Sequence, residues 1–151
     1  MDMLIKLYDL PSNPSATPAT LARKPIGTEY DLVVDWVKAQ FGPGWASEAR
    51  AALAQRPAGI YIALDGATLI GFGCYDATAL GFVGPIGVTE SCRGRDVGAA
   101  LLLSCLQDMR AMGYAYAVAG AVGAPDFFRR VAGATEIEGS APGQYRGMLR
   151  G

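Results

Sequence analysis

The junction over residues 88–102 constrains the fold more than any other part of this sequence. An apolar strand runs there into a short loop, Cys-Arg-Gly-Arg-Asp, and then directly into an apolar helix. The first turn of a helix has backbone N–H groups without intrahelical acceptors, and Gly94 and Gly98 let a ligand approach that backbone closely. Arg93 and Arg95 add positive charge. The junction therefore predicts an α/β fold with a phosphate-binding loop.

Composition narrows the class of protein. With 151 residues, 51% of them apolar, the chain is long enough for one domain that buries roughly two-thirds of its unfolded surface. The net charge of -1 provides no global basic field, so neither nucleic acid nor a membrane is an expected partner. The sequence contains no histidine, which excludes imidazole bases, Ser-His triads and His-ligated metals. No metal site is expected.

Cysteine usage and the N-terminus indicate the cellular compartment. Cys74, Cys92 and Cys105 are an odd number with no closely spaced pair, and the N-terminus lacks the basic and apolar regions of a signal peptide. The longest apolar stretch, residues 99–103, is far shorter than the ~20 residues that span a bilayer. We therefore expect a cytoplasmic protein.

Hydrophobic periodicity and turn residues predict the order of the elements. Helices are predicted at 28–41, 45–55, 97–112 and 125–131, and strands at 3–8, 59–64, 68–75, 81–88, 115–120, 134–139 and 144–149. Asp65-Gly66 is a strong hairpin signal between two of these strands. Residues 11–20 are too rich in Pro, Ser and Thr for regular structure. Inside the strand at 81–88, Pro85 cannot donate to a neighbouring strand, so pairing must be broken there on one side.

Residues 93–98, Arg-Gly-Arg-Asp-Val-Gly, resemble the Arg-x-x-Gly-x-Gly/Ala signature with which N-acetyltransferases of the GNAT superfamily bind acyl-CoA. The predicted order of elements also resembles a GNAT domain. This resemblance implies a mixed, mostly antiparallel sheet of six or seven strands, with a splayed central parallel pair at 81–88 and 115–120 and helices on both faces. It divides the chain into residues 1–22, a strand and a loop, and residues 23–151, the GNAT domain.

The resemblance also implies acetyl-CoA as co-substrate, with its pyrophosphate on this loop and its pantetheine arm between the splayed strands. The cofactor-binding residues that it implies are Gly87, Val88, Arg93, Gly94, Arg95, Asp96, Val97, Gly98, Ala99 and Phe128. Asp96 departs from the signature, which usually has Gly there. A carboxylate at that point is expected to cap the helix that begins at Val97, and to compete with phosphate for the same N–H groups.

The general acid is not evident from the resemblance. Phe128 stands where the family commonly has a Tyr that protonates the leaving thiolate of CoA, and Phe cannot do so. Because free thiols titrate near ~8.5, the thiolate is a tolerable leaving group even without a donor. Tyr145, Ser140 and water are the alternatives, and we choose Tyr145 as the candidate acid.

The general base is equally open. Many GNAT enzymes carry a Glu on the central strand, where this chain has Gly-Pro-Ile at 84–86. A water chain is one alternative, and the side-chain candidates are Asp76, Tyr75, Glu48 and Glu90. Among them we choose Asp76. Trp45 lies where the family's helical region closes over the acceptor, so it is a candidate for the wall of that pocket.

We therefore expect an N-acetyltransferase that acts on a primary amine of a small molecule or a peptide; homodimerisation is left open. Two other classes remain as alternatives. One is a non-catalytic module that binds acyl-CoA, because the usual Tyr and Glu are missing. The other is a nucleotide-binding regulatory domain, for which the sequence has no motif.

Overall fold

The computed structural model describes residues 1–11 and 21–150. Its strands are β1 (Asp2–Lys6), β2 (Leu21–Arg23), β3 (Ile60–Asp65), β4 (Thr68–Tyr75), β5 (Phe82–Val88), β6 (Tyr116–Ala119) and β7 (Thr135–Ile137). Its α-helices are α1 (Tyr30–Phe41), α2 (Pro43–Leu53), α3 (Val97–Ala111) and α4 (Pro125–Ala132).

The seven strands form one mixed sheet in the order β2-β3-β4-β5-β6-β1-β7. Only β5 and β6 are parallel, and they lie in the middle of the sheet. The predicted fold class is therefore confirmed. The three-residue strand β2, which pairs with β3, was not predicted, because so short a segment has no periodicity of its own.

Helices cover both faces of the sheet, and β4 shows how its sequence arranges this. Phe72 and Cys74 belong to the apolar cluster beneath α1 and α2. Gly71 and Gly73 point to the other face, where a Cβ on Gly73 would lie 3.4 Å from Cys105 of α3. The alternation of large residues with glycine lets α3 pack closely on one face while the other face fills with aromatic side chains.

The two parallel strands diverge soon after they meet. They pair only at Phe82 with Val118 and at Val83 with Ala119. Gly84 and Pro85 follow, and the register between β4 and β5 also shifts in this region. The break that Pro85 predicts is thus observed, and it leaves an opening between the strands beyond Val83.

The structure contradicts a prediction near the C-terminus, and it describes little of the loop predicted near the N-terminus. The predicted strand at 144–149 is wrong: residues Gly143–Tyr145 form a 3₁₀ turn, and the backbone after it is irregular. Gly143 and Gly147 both have positive φ, which an extended strand does not tolerate. The Pro/Ser/Thr-rich stretch lies largely outside the described residues, and β2 crosses the boundary expected after residue 22.

Candidate functional site

Two adjoining cavities form one groove where β5 and β6 diverge. The first, about 290 Å³, lies over the loop before α3, and the second, about 320 Å³, lies at the carboxyl end of β6. Ile86, Ala124 and Phe128 line both cavities, so the two spaces adjoin at these residues. The groove therefore connects the Arg/Gly loop to a space beside α2.

The first cavity, here called the loop cavity, brings together eight of the ten residues predicted for cofactor binding. It is lined by Ile86, Val88, Cys92, Arg93, Gly94, Asp96, Val97, Gly98, Ala99, Ala124, Phe127, Phe128 and Arg130. Gly87 and Arg95 are the two that it does not include. A Cβ on Gly87 would lie 2.7 Å from the ring of Phe41, so this residue faces the layer of α1 and α2. The Arg95 guanidinium donates to the carbonyl of Ser91 at 3.3 Å.

Backbone amides without acceptors lie in the segment that lines the loop cavity. Among the residues that the structure describes, none accepts a hydrogen bond from the amides of residues 94–99. The first amide with a helical acceptor is that of Ala100, which donates to the Asp96 carbonyl at 3.0 Å. Gly94 has a φ of 81°, and open space surrounds the position of its missing Cβ. Such a set of free amides at a helix N-terminus favours an anionic ligand.

Two arginines give the loop cavity positive charge. Arg93 donates from Nε to the Val88 carbonyl at 3.2 Å, and its side chain is exposed. Arg130, from α4, lines the opposite side of the cavity. Its neighbour Arg129 forms a salt bridge with Asp126 and does not line the cavity. The paired arginines were visible in the sequence, but only the structure shows which of them faces the loop.

The predicted role of Asp96 as a helix cap is wrong. Asp96 occupies the N-cap position of α3, but its side chain makes no capping hydrogen bond. Its backbone is left-handed, with φ 61° and ψ 15°, whereas a capping side chain needs the extended backbone typical of N-cap residues. Asp96 is one of the residues that line the loop cavity, together with residues whose amides are free.

The second cavity, here called the α2 cavity, contains the candidate catalytic groups. It is lined by Trp45, Glu48, Thr78, Val83, Gly84, Pro85, Ile86, Ala119, Gly120, Ala121, Val122, Gly123, Ala124, Phe128 and Tyr145. Glu48 projects from α2, and the Thr78 hydroxyl donates a hydrogen bond to its Oε1. This bond fixes one oxygen of the Glu48 carboxylate beside the α2 cavity.

Tyr145 and Phe128 face the same cavity. The Tyr145 hydroxyl lies directly against Gly120, at the end of β6. Burial raises the pKa of Tyr145 above its ordinary value, so the hydroxyl keeps its proton at neutral pH. The structure thus places the candidate acid next to the residue that stands where the family has its Tyr.

The structure does not bring Asp76, the predicted base, into the groove. Its carboxylate accepts hydrogen bonds from the Gly81 amide at 2.7 Å and from the Tyr114 hydroxyl at 2.9 Å, and it closes the turn between β4 and β5. Tyr75 is also engaged elsewhere, since its hydroxyl donates to Asp108. Glu90 is exposed beside the loop and lines neither cavity. Among the four side-chain candidates, only Glu48 reaches the groove.

Sequence reasoning missed the segment 120–124, which forms one wall of the α2 cavity. The Asp2 carboxylate accepts a hydrogen bond from the Ala121 amide at 2.9 Å, and the Asp2 amide donates to Ser140 Oγ at 2.8 Å. Asp2 thereby ties this wall to the chain that leads to Tyr145. The run Gly-Ala-Val-Gly after β6 indicates a segment whose backbone another group can approach closely. Nothing in the sequence indicated the role of Asp2.

Within residues 1–11 and 21–150, no three His, Cys, Asp or Glu side chains are grouped closely enough to hold a metal ion. The helices of that part of the chain are too short or too polar to cross a membrane.

Comparisons with known proteins agree with this architecture. The model of the acetyltransferase (GNAT) family matches residues 30–133. No curated protein matches the chain. A GCN5-related N-acetyltransferase from Sphaerobacter thermophilus is 23% identical with a TM-score of 0.68, over 89% of this chain and 47% of that one. One from Kribbella flavida is 17% identical with a TM-score of 0.57, over 89% of this chain and 52% of that one.

A third structure, a GNAT family acetyltransferase from Brucella melitensis in complex with acetyl-CoA, is 20% identical with a TM-score of 0.50. It aligns with 74% of this chain and 80% of its own. The chain spans about half the length of the Sphaerobacter and Kribbella proteins. At these identities, the likeness shows a shared fold.

Proposed function

Because this chain belongs to the GNAT acetyltransferase family, we propose that it transfers the acetyl group of acetyl-CoA to a primary amine by direct attack in a ternary complex. The observation that carries this proposal is the groove that the two adjoining cavities form. It has free amides and arginines at one end and a carboxylate and a tyrosine at the other. The acetyl-CoA complex of the Brucella relative supports the choice of co-substrate.

The loop cavity would hold the pyrophosphate of acetyl-CoA. The amides of residues 94–99 supply neutral donors, while Arg93 and Arg130 supply charge from two sides. In this arrangement Arg93 exchanges its hydrogen bond with the Val88 carbonyl for one with phosphate. The pantetheine arm would then follow Val88 and Ile86 along β5, where β6 has already diverged.

The α2 cavity would hold the acceptor and the reacting thioester. Glu48 takes one proton from the ammonium group, directly or through water, and the free amine attacks the carbonyl carbon of the thioester. The nitrogen of the tetrahedral intermediate then loses its second proton to solvent. As the C–S bond breaks, the Tyr145 hydroxyl donates a proton to the leaving thiolate and regains one from solvent, and Glu48 releases its proton to solvent. The products are an N-acetyl amine, CoA with a free thiol and one proton. Because the chain holds both substrates in one groove, much of its effect is orientation.

A second candidate function is a module that binds acyl-CoA without turnover. Phe128 favours it, because a hydroxyl is missing from the position where the family commonly has one. The two functions differ in one measurable product. An acetyltransferase releases free CoA thiol when acetyl-CoA and an amine are both present, whereas a binding module does not.

Binding is tested by isothermal titration calorimetry with CoA. Replacing Arg93 with Glu and Gly98 with Val reverses the charge of the loop cavity and fills its floor, so we expect affinity to fall by about tenfold or more. Arg110→Glu is the matched control, since Arg110 is exposed near the other end of α3 and should leave affinity unchanged. Unchanged CoA affinity in a folded double variant would contradict the assignment of this cavity.

Turnover is tested by thiol release from acetyl-CoA with a panel of amines. We expect Glu48→Gln and Tyr145→Phe each to lower kcat while leaving CoA affinity intact, because both residues line the α2 cavity and not the loop cavity. Tight CoA binding without thiol release on any amine would favour the binding module instead.

A further inference from the structure

The α2 cavity has few charged side chains in its lining. Among the described residues that line it, Glu48 carries the only formal charge, and there is no Lys or Arg. The arginines of the groove, Arg93 and Arg130, line the loop cavity instead. The groove is therefore positive at the loop cavity and negative at the α2 cavity. The α2 cavity has no cation that could pair with an anionic group of the substrate.

Much of the remaining lining of the α2 cavity is apolar. Trp45, Phe128 and Tyr145 contribute aromatic rings, and Val83 and Pro85 contribute aliphatic surface. The Trp45 ring is held by Phe41, with ring centroids 5.0 Å apart, so its position is set by packing. An aromatic face beside a carboxylate suits an ammonium group attached to an apolar body. A cavity of about 320 Å³ is at the small end of ligand pockets, which range over about 300–1,000 Å³.

We propose that the acceptor is a compact apolar monoamine without a carboxylate, such as an arylalkylamine, held by the charge of Glu48 and the aromatic wall of Trp45. This inference rests on the proposed acetyl transfer and names its substrate class. One carboxylate matches one ammonium group, so a diamine would leave its second charge unpaired against apolar surface. An amino acid would place its carboxylate near Glu48 with no cation to pair it.

The test compares amines with their parent amino acids. Thiol release from acetyl-CoA is measured for phenethylamine against phenylalanine and for tryptamine against tryptophan, with putrescine as the diamine. We expect kcat/KM to be higher for each decarboxylated member by about tenfold or more, since like charges a few ångströms apart repel strongly near a protein surface. Equal rates for both members of each pair, or faster turnover of putrescine, would overturn the substrate class while leaving acetyl transfer intact.

Phenylalanine amide separates charge from bulk. It has nearly the size of phenylalanine but no negative charge, so we expect its kcat/KM to approach that of phenethylamine. If the amide is as poor a substrate as phenylalanine, the exclusion is steric and the electrostatic argument fails.

A cavity variant tests the same point in the protein. Ala121 lines the α2 cavity and is exposed, so Ala121→Lys adds a cation at its wall. We expect the preference for phenethylamine over phenylalanine to shrink severalfold, with CoA affinity unchanged. An unchanged preference in the Ala121→Lys variant would contradict the role of charge.

Calorimetry on the CoA-loaded protein separates recognition from chemistry. Phenethylamine should bind to this complex and phenylalanine should not, and Glu48→Gln should weaken phenethylamine binding. Binding of phenethylamine without turnover would overturn acetyl transfer and keep the ligand class. Failure to bind and to turn over either compound would overturn both.

Discussion

The Tyr145 hydroxyl occupies the space that a side chain on Gly120 would need. A Cβ built on Gly120 would collide with that oxygen, and it would lie 2.8 Å from the ring of Phe82. The absence of a side chain at the end of β6 is therefore what allows the candidate acid to reach the α2 cavity.

Gly120→Ala should displace the Tyr145 hydroxyl. Because a positioned acid typically contributes ~10²–10⁴-fold, we expect kcat for acetyl transfer to fall by about tenfold or more, with CoA affinity unchanged. Gly27→Ala is the control, since a Cβ there meets open space. In a Tyr145→Phe background, the Gly120→Ala change should add little. An independent, additive loss would show that Gly120 acts through something other than Tyr145.

The Phe128→Tyr substitution should change kcat very little. Phe128 lines both cavities, so the new hydroxyl would stand in the groove, but Tyr145 already supplies a half-buried phenol there. We expect a change in kcat far smaller than the ~10²–10⁴-fold contribution of a positioned acid. A rise of that size, measured by thiol release, would mean that the wild-type chain lacks an acid. If neither Phe128→Tyr nor Tyr145→Phe changes kcat, solvent is the proton source.

Asp96→Gly should stabilise the protein and tighten CoA binding. Asp96 has a φ of 61° and makes no capping hydrogen bond, so glycine relieves a left-handed backbone and loses no cap. We expect the free energy of unfolding to rise by up to about 1 kcal/mol, because glycine adopts this conformation with little strain. Removal of a carboxylate beside the free amides should also raise CoA affinity. Thermal melts and calorimetry check the two effects separately, and weaker CoA binding would mean that Asp96 orders the loop.

A polar cluster around Asp108, outside the groove, predicts that the fold loses stability in acid. The Asp108 carboxylate accepts hydrogen bonds from Tyr61 at 2.7 Å and Tyr75 at 2.8 Å, and its Oδ2 lies 3.0 Å from Lys24 Nζ. Burial raises the pKa of Asp108, but the hydrogen bonds from the two tyrosines and Lys24 outweigh it, so the net pKa is lowered. This cluster therefore stabilises the fold above the unfolded pKa of about 3.9 and loses its effect as the pH falls below it.

Asp108→Asn should remove this pH-dependent contribution. We expect it to cost about 1–3 kcal/mol at pH 7, because it leaves the half-buried Lys24 ammonium group without a counter-charge and one of the two tyrosine hydroxyls without an acceptor. The difference from wild type should shrink as the pH falls from about 5 towards 2. Asp126→Asn, at an exposed salt bridge, should be neutral. Urea unfolding at several pH values tests this, and a pH-independent difference would contradict it.

Local patterns in the sequence predicted most elements, because each depends on residues that are close along the chain. The Asp65-Gly66 turn predicted the hairpin of β3 and β4, and Pro85 predicted the break in β5. The Arg/Gly loop before α3 is equally local, since its free amides follow from helix geometry alone. Prediction failed at residues 144–149, where the turn that ends at Tyr145 and the positive φ of Gly147 override a short apolar pattern.

The sequence by itself determined the layered fold and the loop cavity, whose binding groups lie mostly within residues 86–99. Only the tertiary structure decided the α2 cavity. Glu48 and Tyr145 meet there because α2 packs on one face of the sheet, while β1 ties the C-terminal segment to the wall after β6. Asp76 is the base predicted from the sequence, yet its carboxylate is used to close a turn. A side chain's chemistry is readable from its type, but its direction depends on contacts between residues far apart in the chain.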